Sequence, residues 1–372
     1  MTTALLVTAA VVAPTQPVAA AAEPLKIGVL IALSGPAAAY GSEERRAIEA
    51  VAKRVNAAGG IKGRPIQLIV RDTKTNPTEA ARLANQVILD DRVIAIIGAT
   101  TGSETLSFAE LAMREKVPVF PMVGTQSVTD PNEPFSKWVF RMSVPIAVDL
   151  PASRSRMVAD GHKRAAIFSE EDAYGKQASE MFAQLSHDKG DLQIVANVSA
   201  PKAATDLTAV ATTIRNAKPD AIFLATASTG SAGAFLRKVQ EVGLNVPVYG
   251  LAGIVQSQII KNAGKAAESL IAPALVNPDE PGPLAELFAL MKDHGGVTGF
   301  GALLGANAMA GVVAALQSGA TTGAALRDAM ESIGPVKGYA AGPIQFSKTD
   351  HDGWGPGTLF FVTIRNGTFK NL

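Results

Sequence analysis

The chain has 372 residues, 47% hydrophobic and 18% charged, which suffices to build two packed domains and argues against a disordered chain. A formal charge of +1 gives no general attraction to nucleic acid or anionic lipid. The absence of cysteine excludes disulfides, thiolate catalysis and cysteine–zinc sites.

In chain order, residues 1–22 stand apart. "ALLVTAAVVA" is apolar and "PVAAAAEP" follows with small residues, the pattern of a signal peptide cut near Ala20 to Ala22. Its apolar core is about ten residues, against the roughly 20 a spanning helix needs. No Lys or Arg precedes Lys26, so the usual basic start is missing. We expect an exported, periplasmic protein, with nothing later long and apolar enough to span a membrane.

From residue 25 onward, short β-rich runs alternate with helical patterns. Residues 25–33 read as a buried strand. The helix after it places Ile48, Val51, Ala52 and Val55 on one face, between Ser42 and the Gly59-Gly60 stop. Residues 66–70, 93–98 and 117–122 read as strands, with helices over 77–90 and from about 102 to Glu115. The pattern restarts after Arg141, with strands at 164–169, 192–198, 221–226 and 246–251. Helices fall between them at about 147–160, 174–188, 205–217 and 231–243. Residues 284–333 are mainly helical and 358–369 close with a hairpin-like strand. Such alternation predicts an α/β fold with two doubly wound parallel-sheet lobes.

Ligands of open parallel sheets sit at the carboxyl ends of strands. Two loops there hold glycines and hydroxyls: Thr100, Thr101, Gly102 and Ser103 after one strand, then Val123, Gly124 and Thr125 after the next. Both precede a helix start, where free backbone N–H groups attract anions; simple helix capping is the alternative use of these residues. Enzyme signatures are missing: there is no GxxxxGK[ST] loop, no GxSxG elbow and no nucleophile–base set. His162, His187, His294 and His351 lack metal-ligand spacing, so we expect no metal and no cofactor. "GFGALLG" (299–305) has the wrong spacing for a dinucleotide and reads as glycines that let a helix approach other backbone. Glu170, Glu171 and Asp172 read as a solvated loop beside Tyr174.

The run from Ile27 to Asp91, "IGVLIALSGPAAAYG…NAAGGIKGRPIQLIVRDTKTNPTEA…LDD", resembles the periplasmic branched-chain amino-acid-binding proteins of ABC importers. "FSEEDAYGKQ" (168–177) and "GLNVPVYGLAG" (243–253) fit the same family. The resemblance implies two lobes joined by three hinge crossovers, with lobe one at about 25–143 plus 275–356 and lobe two at about 144–274 plus 357–372. It implies a small-molecule carboxylate bound between the lobes and ABC permease membrane subunits as partners. The family's carboxylate grip falls on Gly102, Ser103 and Thr125, with Thr100 and Thr101 just before and Val123 and Gly124 on the floor. Gly102 stands where a serine is usual; its N–H remains a donor, and Thr101 or Ser103 is expected to replace the hydroxyl. Tyr40, Tyr174 and Phe300 match positions that wall the ligand's side chain.

Ala252, in "YGLAGIV", stands where the amino-acid binders carry an acid for the ligand's ammonium, and Ser228 replaces a wall residue. A buried ammonium without a counter-charge is costly. The expectation is therefore an aromatic or hydrophobic organic acid lacking an α-amino group. Binding of a branched-chain or other hydrophobic amino acid stays open, should Asp172 turn inward, as does a ligand sensor on the same fold.

Overall fold

The computed structural model describes residues 23–372 apart from 203, 205, 269, 281, 340–343 and 355–358, so the expected leader at 1–22 lies outside the described residues. The first part of the chain runs β1 (Leu25–Ile31), α1 (Ala38–Ala57), β2 (Ile66–Asp72), α2 (Pro77–Leu89), β3 (Ala95–Gly98), α3 (Gly102–Arg114) and β4 (Val119–Phe120). These four strands form one parallel sheet in the order β2-β1-β3-β4. Alternate residues feed cores on its two faces. Ile27, Val29 and Ile97 pack toward α1, and Leu30 and Ile96 toward α2 and α3.

The chain then crosses through α4 (Ile146–Ala159) into β5 (Arg164–Glu170), α5 (Ala173–Lys189), β6 (Gln193–Ala200), α6 (Thr208–Ala217), β7 (Ala221–Ala225), α7 (Thr229–Glu241), β8 (Val248–Tyr249), α8 (Ser257–Ala263) and β9 (Leu270–Ala274). It returns to cover the first sheet with α9 (Ala285–Met291), α10 (Phe300–Gln317) and α11 (Gly323–Met330), and ends in β10 (Phe360–Arg365) and β11 (Thr368–Asn371). The second sheet has the order β11-β10-β9-β8-β7-β5-β6, parallel from β9 to β6 and antiparallel at β9–β10 and β10–β11. The final hairpin turns at Asn366-Gly367, both at positive φ, and Glu268 accepts hydrogen bonds from their two amides. Helices cover both faces of this sheet as well: Ala166, Phe168 and Leu224 pack on one side, Ala165, Ile167 and Phe223 on the other.

Two expectations need correction. α1 begins at Ala38, a turn before Ser42, so Tyr40 and the buried Glu43 and Glu44 lie within it. α10 does meet the length and hydropathy of a membrane span, with mean hydropathy 1.5 over 18 residues, but 83% of it is buried. It is the central helix of the first core, packed on α1. Its glycines allow that closeness: a Cβ on Gly305 would stand 2.4 Å from the Glu44 carbonyl oxygen, and one on Gly301 2.9 Å from that of Tyr40.

Candidate ligand-binding site

The carboxyl ends of β3, β4, β5, β7 and β8 converge with α1 and the start of α10 around a space of about 690 Å³, part of it open to solvent. Of the residues singled out in the sequence, Tyr40, Thr100, Thr101, Gly102, Val123, Gly124, Thr125, Tyr174, Ser228 and Phe300 line it. Tyr40 and Phe300 meet edge to face, with centroids 6.5 Å apart, and form an apolar wall. Ser103 and Ala252 do not line it. The Ser103 hydroxyl accepts a hydrogen bond from the Ala173 amide at 3.2 Å, and Ala252 is buried behind its neighbour Gly253.

The two loops after β3 and β4 fit each other closely. A Cβ at Gly102 would fall 2.0 Å from the Thr125 hydroxyl oxygen, so only glycine fits there. Thr125 is fully buried and its hydroxyl has no protein partner among the described residues. Buried polar atoms are normally paired, so this hydroxyl, at the wall of the space, has unused hydrogen-bonding capacity. The amides of Gly102 and Ser103 open α3 and have no i−4 acceptor within it. The hydroxyl over Gly102 therefore comes from Thr125, not from Thr101 or Ser103 as expected. Thr101 caps α3: its amide and hydroxyl both donate to one Glu104 oxygen, at 3.1 and 2.6 Å. The Thr100 hydroxyl is also engaged, donating to Glu44 at 2.6 Å and accepting from the Ala32 amide.

Arg141 holds the second loop from behind. Fully buried, it donates to the carbonyls of Val123, Thr125 and Gln126 and pairs with Asp352 at 2.7 Å. Phe140, its neighbour, stacks on His351.

The charged lining differs most from expectation. Asp149, in the first turn of α4, is 2% exposed and lines the space; one oxygen accepts the Ala252 amide at 3.0 Å and the other has no partner among the described residues. Burial, opposed by the Ala252 N–H, pushes its pKa up to about 7. An acid is thus present beside Ala252 after all, carried by α4. Glu170 is buried rather than solvated; burial raises its pKa, and one of its oxygens accepts from Thr226 at 2.6 Å. Asp172 caps α5 through the Gly175 amide and accepts the Lys202 ammonium at 2.6 Å. Asp172 does turn inward, but its charge is already paired. Asp149 and Lys202 carried no readable signal: one is an acid in a helix's first turn and the other a lone lysine in the β6–α6 loop. Among the described residues no group of acids and histidines has a metal-binding arrangement.

Two α/β lobes with a polar and aromatic space between them define a binding protein that closes on a small molecule. The chain belongs to the periplasmic binding protein family, whose sequence model matches residues 24–368. That is a family of solute binders, and the chain is not an enzyme. It is 24% identical over 264 residues to the Leu/Ile/Val-binding protein of Escherichia coli K12, covering 70% of each chain. Its fold matches an extracellular ligand-binding receptor from Rhodopseudomonas palustris HaA2 with a TM-score of 0.85, at 23% identity over 94% of this chain and 99% of that one. It also matches the branched-chain amino acid transporter substrate-binding protein LivJ from Streptococcus pneumoniae, solved with isoleucine, with a TM-score of 0.81 and 20% identity over 94% and 99% of the two chains.

Proposed function

We propose that the protein is the periplasmic solute-binding component of an ABC importer, presenting its closed, loaded form to permease membrane subunits. Its lobes comprise 25–143 plus 275–356 and 144–274 plus 357–372. Its ligand is a small carboxylate with an aromatic or hydrophobic body and no α-amino group. The observation that carries this reading is the unpartnered, fully buried Thr125 hydroxyl set against the open amides of α3. The carboxylate sits there, and the body lies against Tyr40, Tyr174 and Phe300. Gly124 and Val123 form the floor, and Ser228 stands at the far wall. Asp149, neutral over much of its range, then donates a hydrogen bond to a keto or hydroxyl oxygen of the ligand.

A specific observation favours a second reading. Asp149 has a bare oxygen beside Ala252, which suits the ammonium of a hydrophobic amino acid, the ligand class named for the E. coli and S. pneumoniae relatives. The two readings reverse the pH dependence. A neutral Asp149 that donates makes binding weaken as pH rises through about 7, whereas an ionised Asp149 paired to an ammonium makes it strengthen.

The test is a thermal-shift screen of the mature protein against benzoate, 4-hydroxybenzoate, cinnamate, phenylpyruvate, leucine, isoleucine, valine and phenylalanine. Calorimetric titration of each hit at pH 6 and pH 8 follows. Stabilisation by the organic acids alone, stronger at pH 6, is the expected result. Stabilisation by amino acids alone, stronger at pH 8, replaces it with the second reading. No response to any of the carboxylates rejects the proposed ligand class.

A further inference from the structure

The α3 end of the site sets an acid close to the amides proposed to hold the ligand. The helix N-terminus carries the equivalent of roughly half a positive charge. Against it stands Glu104, an acid fully buried in the same first turn, which takes both donors of Thr101 and keeps a second oxygen without a partner among the described residues. A carboxylate landing on the Gly102 amide meets that field. A cation nearby offsets it, and among the described residues that line the space Lys202 alone has a cationic side chain.

Lys202 comes from the other lobe, yet a short chain of contacts brings it to α3. The Ala173 amide donates to the Ser103 hydroxyl, Asp172 precedes Ala173, and Asp172 holds the Lys202 ammonium. That bond uses one of three N–H donors. Burial alone would lower the lysine's pKa, but Asp172 and Glu170 outweigh it and hold the group above its ordinary value, with Glu104 contributing in the same direction. The ammonium is therefore charged wherever the ligand is.

We propose that Lys202 is a specificity-determining residue, reaching from lobe two to the ligand carboxylate that α3 and Thr125 hold in lobe one. The anion then ties the two lobes together, and closure depends on the charge of the ligand. This rests on the reading of the site as a carboxylate binder.

The test uses the full mature chain and its Lys202→Met, Lys202→Arg and Lys202→Met/Asp172→Asn variants; the double variant avoids stranding a carboxylate. Calorimetry compares phenylacetate, 4-methyl-2-oxopentanoate and L-leucine with phenylacetamide and L-leucinamide, which lack the carboxylate. Both Met variants are expected to weaken the acids about tenfold or more and to change the amides less than about twofold, while Lys202→Arg retains the acids. Unchanged acid affinity in the Met variants overturns the proposal, as does an equal loss for acids and amides. If the wild-type protein binds none of the three acids, the carboxylate reading falls and this inference with it. That outcome is distinct from wild-type binding that survives the substitution.

Discussion

Asp149 links the site to stability. Its pKa rises from 3.8 to about 7 on burial, so the folded state holds a proton that the unfolded state releases. Stability is then lost as pH rises from about 4 to about 7, by up to about 1.4 kcal/mol per pH unit. Asp149→Asn removes this term, so in the ligand-free protein the thermal midpoint is expected to fall less between pH 5 and pH 7.5 than in the wild type. Gly102 gives a second prediction. Gly102→Ala drives a methyl group into the Thr125 hydroxyl and Cβ, and binding of any accepted carboxylate should weaken about tenfold or more by calorimetry. The glycine–hydroxyl loops were legible as cavity lining because they follow strands of a parallel sheet, where ligand spaces form. The sequence could not show which hydroxyl is free, because Thr100 and Thr101 are engaged by Glu44 and Glu104, acids brought in by packing and capping. Nor could it show Asp149 beside Ala252, a contact between residues 103 positions apart.

Among the elements, strands and helices were readable because their apolar periods of two and 3.6 are strong on α/β sheets buried on both faces. The start of α1 was not. Glu43 and Glu44 look like solvent-facing residues, yet both are buried under α10, Glu43 accepting from the Thr298 amide at 2.7 Å. α10 is apolar all round because it is enclosed, and its contact with α1 depends on glycine. Gly305→Ala is expected to destabilise by about 1–3 kcal/mol despite alanine's better helix propensity, read as a lower urea midpoint. Gly230→Ala, at an exposed site in α7 where a Cβ meets nothing within 4 Å, should stabilise by up to about 1 kcal/mol in the same measurement.

For the whole molecule, cleft contacts connect the two halves: Ala173 with Ser103, the Gln126 amide with Gln177 at 2.8 Å, and the Ser228 hydroxyl with the Pro36 carbonyl at 3.4 Å. Gln177 makes no part of the cavity wall, so Gln177→Ala should speed ligand release in stopped-flow measurements with a smaller effect on association. The chain's route has a further consequence for the order of synthesis. The first sheet is covered only when α10 has been made, and the second gains β10 and β11, with Val362, Ile364 and Phe369 of its core, only at the very end. Neither half has its full complement of contacts while most of the chain is still emerging. A nascent chain shorter than about 300 residues therefore holds a first sheet with an uncovered apolar face and a second sheet with an open edge at β9, and the residues from α10 onward act as the closing step for both.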